Sequence, residues 1–265
     1  MRLSHVVIVA PLLVMRSAVP SSANAHVVDV VAGNYYLKAP DTLPAGLTTL
    51  RLRVENGMHM AILVRLDSGH TAADLLRARR EGHPRPSWMH FIGGPGFPAP
   101  NGTDNATMIL APGNYLLLCD VRDRDGQWHF EKGMFHPIVV RSANTSARAA
   151  LPTPDAVVEM RDYRFVFSKP IHAGTRTLRV VNDGSVLHEF RMVHVLPGRT
   201  GEESMNWKPG DKTSRPDEDF MALVGIPRGG ELTTSIAFKK GEYLVFCVPE
   251  IAHGMMQVLR VDAGS

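Results

Sequence analysis

The sequence has only two cysteines among its 265 residues, Cys119 and Cys247. It contains no Cys-x-x-Cys-His motif for haem attachment and no closely spaced cysteine pair for a dinuclear metal centre. It also lacks a Lys/Arg cluster, and once Arg2 and Arg16 are set aside 27 basic side chains face 26 acidic ones. These absences argue against a haem protein and against binding to nucleic acid.

The chain also lacks an uninterrupted apolar run of the ~20 residues that a transmembrane helix needs. An apolar run from Val6 to Met15 follows the basic Arg2 but is interrupted by Pro11. The small residues Ala23-Asn-Ala25 offer a cleavage site after it. We therefore predict a secretory signal over residues 1–25, export to the periplasm or the extracellular space, and no stable membrane span after cleavage.

Each cysteine ends a short apolar segment that begins with a Gly-x-Tyr motif. Gly113-Asn-Tyr-Leu-Leu-Leu-Cys119 matches Gly241-Glu-Tyr-Leu-Val-Phe-Cys247, and each cysteine is followed by a histidine and a methionine. Another histidine lies far upstream of each. The two quartets are His59, Cys119, His129 and Met134, and His188, Cys247, His253 and Met255. The first His, the Cys and the Met repeat at offsets of 129, 128 and 121 residues, which predicts an internal duplication.

The residue types in each quartet are those of a copper site. A thiolate and a thioether favour Cu(I), two imidazoles suit Cu(II), and blue-copper sites combine two His, one Cys and a weak axial Met. The second quartet is less regular, because His253 and Met255 are only two residues apart. Met256 could replace Met255 as the axial ligand, and the second site could be vestigial.

The remaining sequence predicts an all-β protein. Several short alternating strands with little helix in each half indicate two tandem Greek-key β-sandwiches, at residues 26–141 and 155–265, joined by a linker at 142–154. One short helix is predicted from Thr71 to Glu81. The segments Gly82–Thr107 and Gly198–Pro227, the first of them rich in Gly and Pro, are expected to be irregular loops, the second with one helical turn.

Both halves resemble cupredoxins, the plastocyanin-like blue-copper domains. Pro44-Ala-Gly46 followed by Asn56-Gly-Met-His59 is similar to the family's strand–turn–His segment, as is His172-Ala-Gly174 followed by Asn182-Asp-Gly-Ser-Val-Leu-His188. The Gly-x-Tyr-x-x-x-Cys…His…Met order is the more specific part of the resemblance. It implies that each quartet binds one type 1 copper, giving one or two coppers per chain.

The resemblance implies one-electron transfer with a redox partner protein. Multicopper oxidases and copper nitrite reductases resemble this domain layout, but they place a His beside the Cys. Here Leu118 and Asp120 flank Cys119, and no His-x-His motif occurs, so we expect no oxidase or reductase chemistry from this chain alone. Two alternatives stay open: copper delivery or storage without a redox role, favoured by the Met58-His-Met60 turn, and a copper enzyme using His26 as the new amino terminus. A disulfide between the two cysteines is a further alternative.

Overall fold

The computed structural model describes residues 25–99, 101–143 and 150–263. Residues 1–24 of the predicted signal and residues 144–149 of the predicted linker lie outside the described residues. In the first half the strands are β1 (His26–Gly33), β2 (Tyr36–Lys38), β3 (Thr42–Pro44), β4 (Gly46–Val54), β5 (Ile62–Leu66), β6 (Met89–Gly96), β7 (Thr103–Leu110), β8 (Gly113–Leu118) and β9 (Phe135–Arg141). The helix α1 (Ala72–Arg80) follows β5.

The second half repeats this plan. Its strands are β10 (Ala156–Arg161), β11 (Arg164–Phe167), β12 (Gly174–Asn182), β13 (His188–Val195), β14 (Asp217–Ile226), β15 (Glu231–Phe238), β16 (Gly241–Phe246) and β17 (Met256–Val261). A short helix, α2 (Gly201–Asn206), follows β13, and a 3-10 helix (Val248–His253) separates β16 from β17.

The strands form two sheets that pack face to face. One sheet has the order β11-β10-β12-β15-β7-β4-β1-β2, and the other has the order β17-β16-β13-β14-β6-β5-β8-β9-β3. The two halves have the same strand order when each sheet is read outward from its middle. In the first sheet β7-β4-β1-β2 corresponds to β15-β12-β10-β11, and in the second β6-β5-β8-β9 corresponds to β14-β13-β16-β17. The predicted fold class, two cupredoxin-like β-sandwiches in one all-β chain, is confirmed.

The alternation of side chains explains why these segments become half-buried strands. In β4, Leu50 and Leu52 are fully buried, whereas Arg51 and Arg53 face solvent. The Gly-x-Tyr motif has its own role at the start of the cysteine strands. The hydroxyl of Tyr115 donates to the Ala111 carbonyl at 2.9 Å, and that of Tyr243 donates to the Lys239 carbonyl at 3.1 Å. Each tyrosine thus fixes the turn that leads into its strand.

The predicted helix is confirmed, with Thr71 as its N-cap. The Thr71 hydroxyl accepts from the Asp74 amide while the Asp74 carboxylate accepts from the Thr71 amide at 2.8 Å, which is a capping box. Neither this helix nor any other in the ranges above is long and apolar enough to cross a bilayer.

The two predicted loops are wrong in part, because each contains a strand that joins the halves. β6 lies within Gly82–Thr107, and β14 lies within Gly198–Pro227. These strands pair with each other through Gly94 and Val224 and through Pro95 and Leu223. In the other sheet β7 contacts β15 at Thr107 and Thr233. Both sheets therefore run through both halves without a break.

Glycines that suggest a loop are needed here for close packing. A Cβ on Gly94 would lie 2.0 Å from the Ala61 carbonyl oxygen. Gly93 has a φ of +99°, and a Cβ there would lie 2.9 Å from the Leu232 side chain of the other half. Only residues without a side chain allow the strands to approach this closely.

Polar contacts between the halves centre on Asp104 and Asn105 of β7. The buried Asp104 carboxylate accepts from the amides of Gly96 at 3.3 Å, Asn105 at 2.7 Å and Ala222 at 2.9 Å. The Asn105 side chain donates to the Ser235 carbonyl at 2.8 Å and accepts from its amide at 2.9 Å. Asp104 thus binds the backbone of β14 in one sheet, and Asn105 binds the backbone of β15 in the other.

Asp104→Asn tests this junction. Burial raises the pKa of the Asp104 carboxyl to about 7 from 3.8, so the folded chain holds the proton more tightly than the unfolded chain. The free energy of unfolding is therefore highest at low pH and falls as pH rises from about 4 to about 7. The amide cannot accept all three bonds, so we expect Asp104→Asn to cost about 1–3 kcal/mol and to remove this slope.

Urea unfolding at several pH values measures both effects. Asp29→Asn is the matched control, because Asp29 is exposed and pairs only with Arg51 of the neighbouring strand at 2.6 Å. An Asp104→Asn chain with wild-type stability and an unchanged pH slope would show that the carboxylate does not hold the halves together.

Candidate metal centre

Three of the predicted ligands in the first half come from separate parts of the chain. His59 precedes β5, Cys119 directly follows β8, and His129 lies in the loop between β8 and β9. The Cys119 amide donates to the Met134 carbonyl at 3.2 Å, and the Met134 amide donates to the His129 carbonyl at 3.0 Å. These two bonds fold the loop back over the end of the cysteine strand.

The three donor groups meet in one buried cluster. His59 Nδ1 lies 3.2 Å from His129 Nδ1, and Cys119 Sγ lies 3.8 Å from the former and 3.6 Å from the latter. Cys119 is fully buried, and the two histidines are 2% and 6% exposed. Met134, at the end of the loop that carries His129, is also fully buried. This is the one group of three or more His, Cys, Asp or Glu residues in the described ranges whose donor atoms all lie within 4.8 Å.

Asp123 orients the His129 ring. Its Oδ1 lies 3.0 Å from His129 Nε2, while its Oδ2 accepts from the Tyr35 hydroxyl at 2.7 Å and pairs with Lys132. Because the carboxylate can only accept, Nε2 carries the hydrogen and the lone pair of Nδ1 points toward Cys119. Hydrogen bonding from Lys132 holds the pKa of Asp123 well below its usual range, so the carboxylate stays charged.

The pKa values in the cluster favour neutral donors. Burial, followed by the charge of His129, lowers the pKa of His59 to about 4. Burial raises the pKa of the Cys119 thiol to about 11. Without a cation the cluster therefore holds a neutral His59 imidazole and a thiol, and a metal that binds Cys119 must displace the thiol proton.

A buried arginine that the sequence analysis missed fixes the loop from outside. Arg79 on α1 is 4% exposed in its side chain, and its Nη1 lies 2.6 Å from Asp120 Oδ1. Its guanidinium also stacks on Phe130, 4.8 Å from the ring centroid. Since Asp120 follows Cys119 and Phe130 follows His129, one side chain holds the neighbours of two donors. The Arg/Asp pair has no motif spacing, so only the fold reveals it.

The second half brings together His188, Cys247 and the backbone of Met255. His188 Nδ1 lies 3.6 Å from Cys247 Sγ, and both residues are fully buried. The Cys247 amide donates to the Met255 carbonyl at 3.1 Å, as the Cys119 amide does to Met134. Met255 is fully buried, whereas Met256 is half-buried and opens β17, so Met255 is the counterpart of Met134.

The structure does not bring His253 to this group. Its side chain is 60% exposed at the end of the 3-10 helix, and its Nδ1 lies 2.8 Å from Glu250 Oε2. The Met255 amide donates to the Glu250 carbonyl at 3.2 Å, just as the Met134 amide donates to that of His129. Glu250 therefore occupies the backbone position of His129. Only seven residues separate Cys247 from Met255, against fourteen between Cys119 and Met134, and the shorter loop carries Glu250 instead of a histidine at that position.

The structure supports neither the alternative of a disulfide between the cysteines nor that of a copper site at His26. Cys119 and Cys247 are both buried and free, so they form no disulfide. His26 is exposed at the start of β1.

The donor set of the first half fits copper. A thiolate and two imidazoles at one buried point, with the buried thioether of Met134 on the same loop, match the soft and borderline ligands that both copper oxidation states accept. No oxygen donor belongs to the three-residue cluster, which disfavours hard cations such as Mg²⁺ and Ca²⁺. His59, Cys119, His129 and Met134 would hold the metal.

No protein-family model and no curated protein matches the chain. Reduced auracyanin from Roseiflexus castenholzii is 16% identical, with a TM-score of 0.31, over 45% of this chain and 99% of that one. Auracyanin A, a "blue" copper protein from Chloroflexus aurantiacus, is 22% identical, with a TM-score of 0.30, over 44% and 100%. A copper-containing nitrite reductase from Thermus scotoductus is 14% identical, with a TM-score of 0.25, over 90% and 61%.

These similarities are weak, with TM-scores below 0.5, so the class of the protein rests on its own geometry. Each half is a two-sheet sandwich in which a histidine and a cysteine from distant parts of the chain meet, with a methionine on the loop after the cysteine. The chain is a two-domain cupredoxin-like protein in fold.

Asp123→Asn tests the support of His129. The amide cannot accept from Nε2, Tyr35 and Lys132 together, so the ring loses its fixed orientation and copper affinity should fall by about 10–100-fold. Competition with a chromophoric copper chelator measures the affinity. Asp125→Asn is the matched control, because Asp125 pairs with Lys132 at 2.7 Å without touching His129. Equal affinity in both variants would contradict a role for Asp123.

Proposed function

We propose that this protein is an exported copper protein that transfers single electrons through a type 1 site in its first half. The ligands would be His59, Cys119, His129 and Met134. The observation that carries the proposal is the buried His–Cys–His cluster, whose three donor atoms already lie within 4.8 Å of one another. When bound, copper supplies a couple between Cu(I) and Cu(II) that exchanges one electron at a time.

The surrounding chain supports such a role by keeping the donors in place. Backbone bonds hold Cys119 against Met134, Asp123 fixes His129, and Arg79 fixes Asp120 beside the cysteine. Because the donors are held by contacts outside the cluster, a change of charge at the site needs little rearrangement. Burial of all four side chains excludes water from the thiolate and prevents side reactions.

Tyr35 offers a route from the site to the surface. The residue is 41% exposed, and its ring meets the His129 ring edge-on, with 5.4 Å between centroids. Its hydroxyl shares Asp123 with His129, so phenol, carboxylate and imidazole form one connected path. A redox partner protein that docks over Tyr35 would reach the site through one ligand. Tyr35 is therefore the centre of the docking face that we propose.

The choice of electron transfer over oxidase chemistry rests on the neighbours of Cys119. Leu118 and Asp120 offer no imidazole that could link this site to a second metal. Copper delivery is the second candidate, because Met58, beside His59, is 55% exposed and could receive Cu(I) at the surface.

An absorption spectrum of the copper-loaded chain separates these functions. Wild type should show an intense thiolate-to-copper band that disappears on reduction and returns on reoxidation. Cys119→Ser should lose the band entirely, because serine cannot supply the thiolate. Cys247→Ser is the matched control, since it makes the same change at the same position of the other half, and it should keep the band. Bound copper without a band in wild type would favour delivery over electron transfer.

Export is tested at the amino terminus. We expect the mature chain to begin at His26 and to be recovered outside the cytoplasm, because the small residues before it suit signal cleavage. Intact mass of the chain purified from the periplasm or medium measures this. A cytoplasmic chain that keeps residues 1–25 would contradict the proposal.

A further inference from the structure

The second half keeps three of the four donors of the first. Cys247 Sγ and His188 Nδ1 lie 3.6 Å apart, close to the 3.8 Å between Cys119 Sγ and Nδ1 of His59, the counterpart of His188. Both residues and Met255 have no exposed surface. The cysteine and the methionine are joined by the same backbone bond as in the first half.

His188 is oriented as a metal ligand. Its Nε2 lies 3.2 Å from Asp162 Oδ1, so this nitrogen carries the hydrogen and the lone pair of Nδ1 points at the cysteine sulfur. A Cβ on Gly184 would lie 2.4 Å from Nε2 and 2.7 Å from the Asp162 carboxylate, so only glycine leaves room for this pair. The Glu189 amide donates to Cys247 Sγ at 3.3 Å, which favours the thiolate.

The missing donor decides which ion such a group prefers. Glu250 stands where His129 stands in the first half, and its carboxylate is engaged by the exposed His253. Two sulfur atoms and one imidazole remain. Cu(I) accepts a soft set of three ligands, whereas Cu(II) requires more nitrogen or oxygen donors.

We propose that the second half is a three-coordinate Cu(I) site formed by the Cys247 thiolate, His188 Nδ1 and the Met255 thioether, which holds the ion without cycling to Cu(II). On binding, the thiol proton leaves to solvent and a copper–sulfur bond replaces the sulfur–hydrogen bond, with no change of oxidation state. This site is separate from the proposed electron-transfer site, which depends on Cys119.

The test uses the full-length mature chain with Cys119→Ser, so that one cysteine remains. Anaerobic titration against the coloured Cu(I) complex of bicinchoninate should transfer one Cu(I) per chain. The Cys119→Ser/Cys247→Ser double variant should bind Cu(I) at least about 100-fold more weakly, because the thiolate is the strongest donor in the set. Adding His253→Ala to Cys119→Ser should change nothing. Equal Cu(I) binding in the single and double cysteine variants would overturn the proposal.

A gain-of-function variant tests the reason for the Cu(I) preference. In the Cys119→Ser chain, Cu(II) should give no thiolate-to-copper band, whereas adding Glu250→His should create one by restoring an imidazole at the position of His129. Circular dichroism and urea unfolding check that each variant is folded. A band in Cys119→Ser before Glu250 is changed would overturn the proposal and mark a second cycling site.

The outcomes of the two proposals are distinguishable. If the electron-transfer function fails, the wild-type chain shows no thiolate-to-copper band, whether or not Cys247 binds Cu(I). Failure of the Cu(I) site appears only in the comparison of the Cys119→Ser chain with its Cys247→Ser derivative.

Discussion

One backbone hydrogen bond sets the geometry at the cysteine end of each half. The cysteine amide donates to the carbonyl of a methionine further along the chain, at 3.2 Å from Cys119 to Met134 and at 3.1 Å from Cys247 to Met255. The bond fixes where the strand and the returning chain meet. What differs is the length of chain inside the loop that it closes. The longer loop places the His129 imidazole beside the thiol. The shorter one is a 3-10 helix from Val248 to His253, with Glu250 at the backbone position of His129 and its carboxylate bonded to His253.

The same fold therefore carries two chemically different ends. In the first half, Asp123 and Arg79 brace a loop that would otherwise be long and free. In the second half the loop is a 3-10 helix, Val248–His253, closed by the bond from the Met255 amide to the Glu250 carbonyl. The donors follow the same division: the buried cluster at Cys119 has two imidazoles, whereas Cys247 has one, and burial raises the pKa of both thiols to about 11.

The sequence was sufficient for the fold class and for the cluster at Cys119, because the Gly-x-Tyr…Cys…His…Met order encodes a strand followed by a closed loop. The sequence was insufficient for the second half, where the position of a residue in the loop, and not its type, decides whether it lies near the cysteine. Lys132-Gly-Met134 aligns with His253-Gly-Met255, and this register places Glu250, not His253, opposite His129. Because His253 is only two residues from Met255, the sequence suggested that it is a ligand. The backbone register shows that it is a surface residue. The β6 strand was missed for another reason, since its Gly and Pro residues suggest a loop when no neighbouring strand is known.

The pairing of β6 with β14 has the register expected if a two-fold axis relates the two halves. Phe91, Gly96 and Pro98 recur at Phe220, Gly225 and Pro227, so the pairs Gly94–Val224 and Pro95–Leu223 exchange places when one half is laid on the other. This is the symmetry of a dimer of identical chains. A half-length chain would expose β6 and β7 as open edges and would need a second copy to cover them. When the two copies are joined in one chain, their association no longer depends on protein concentration. The residues at the cysteine end of one half can then change while those of the other half stay the same.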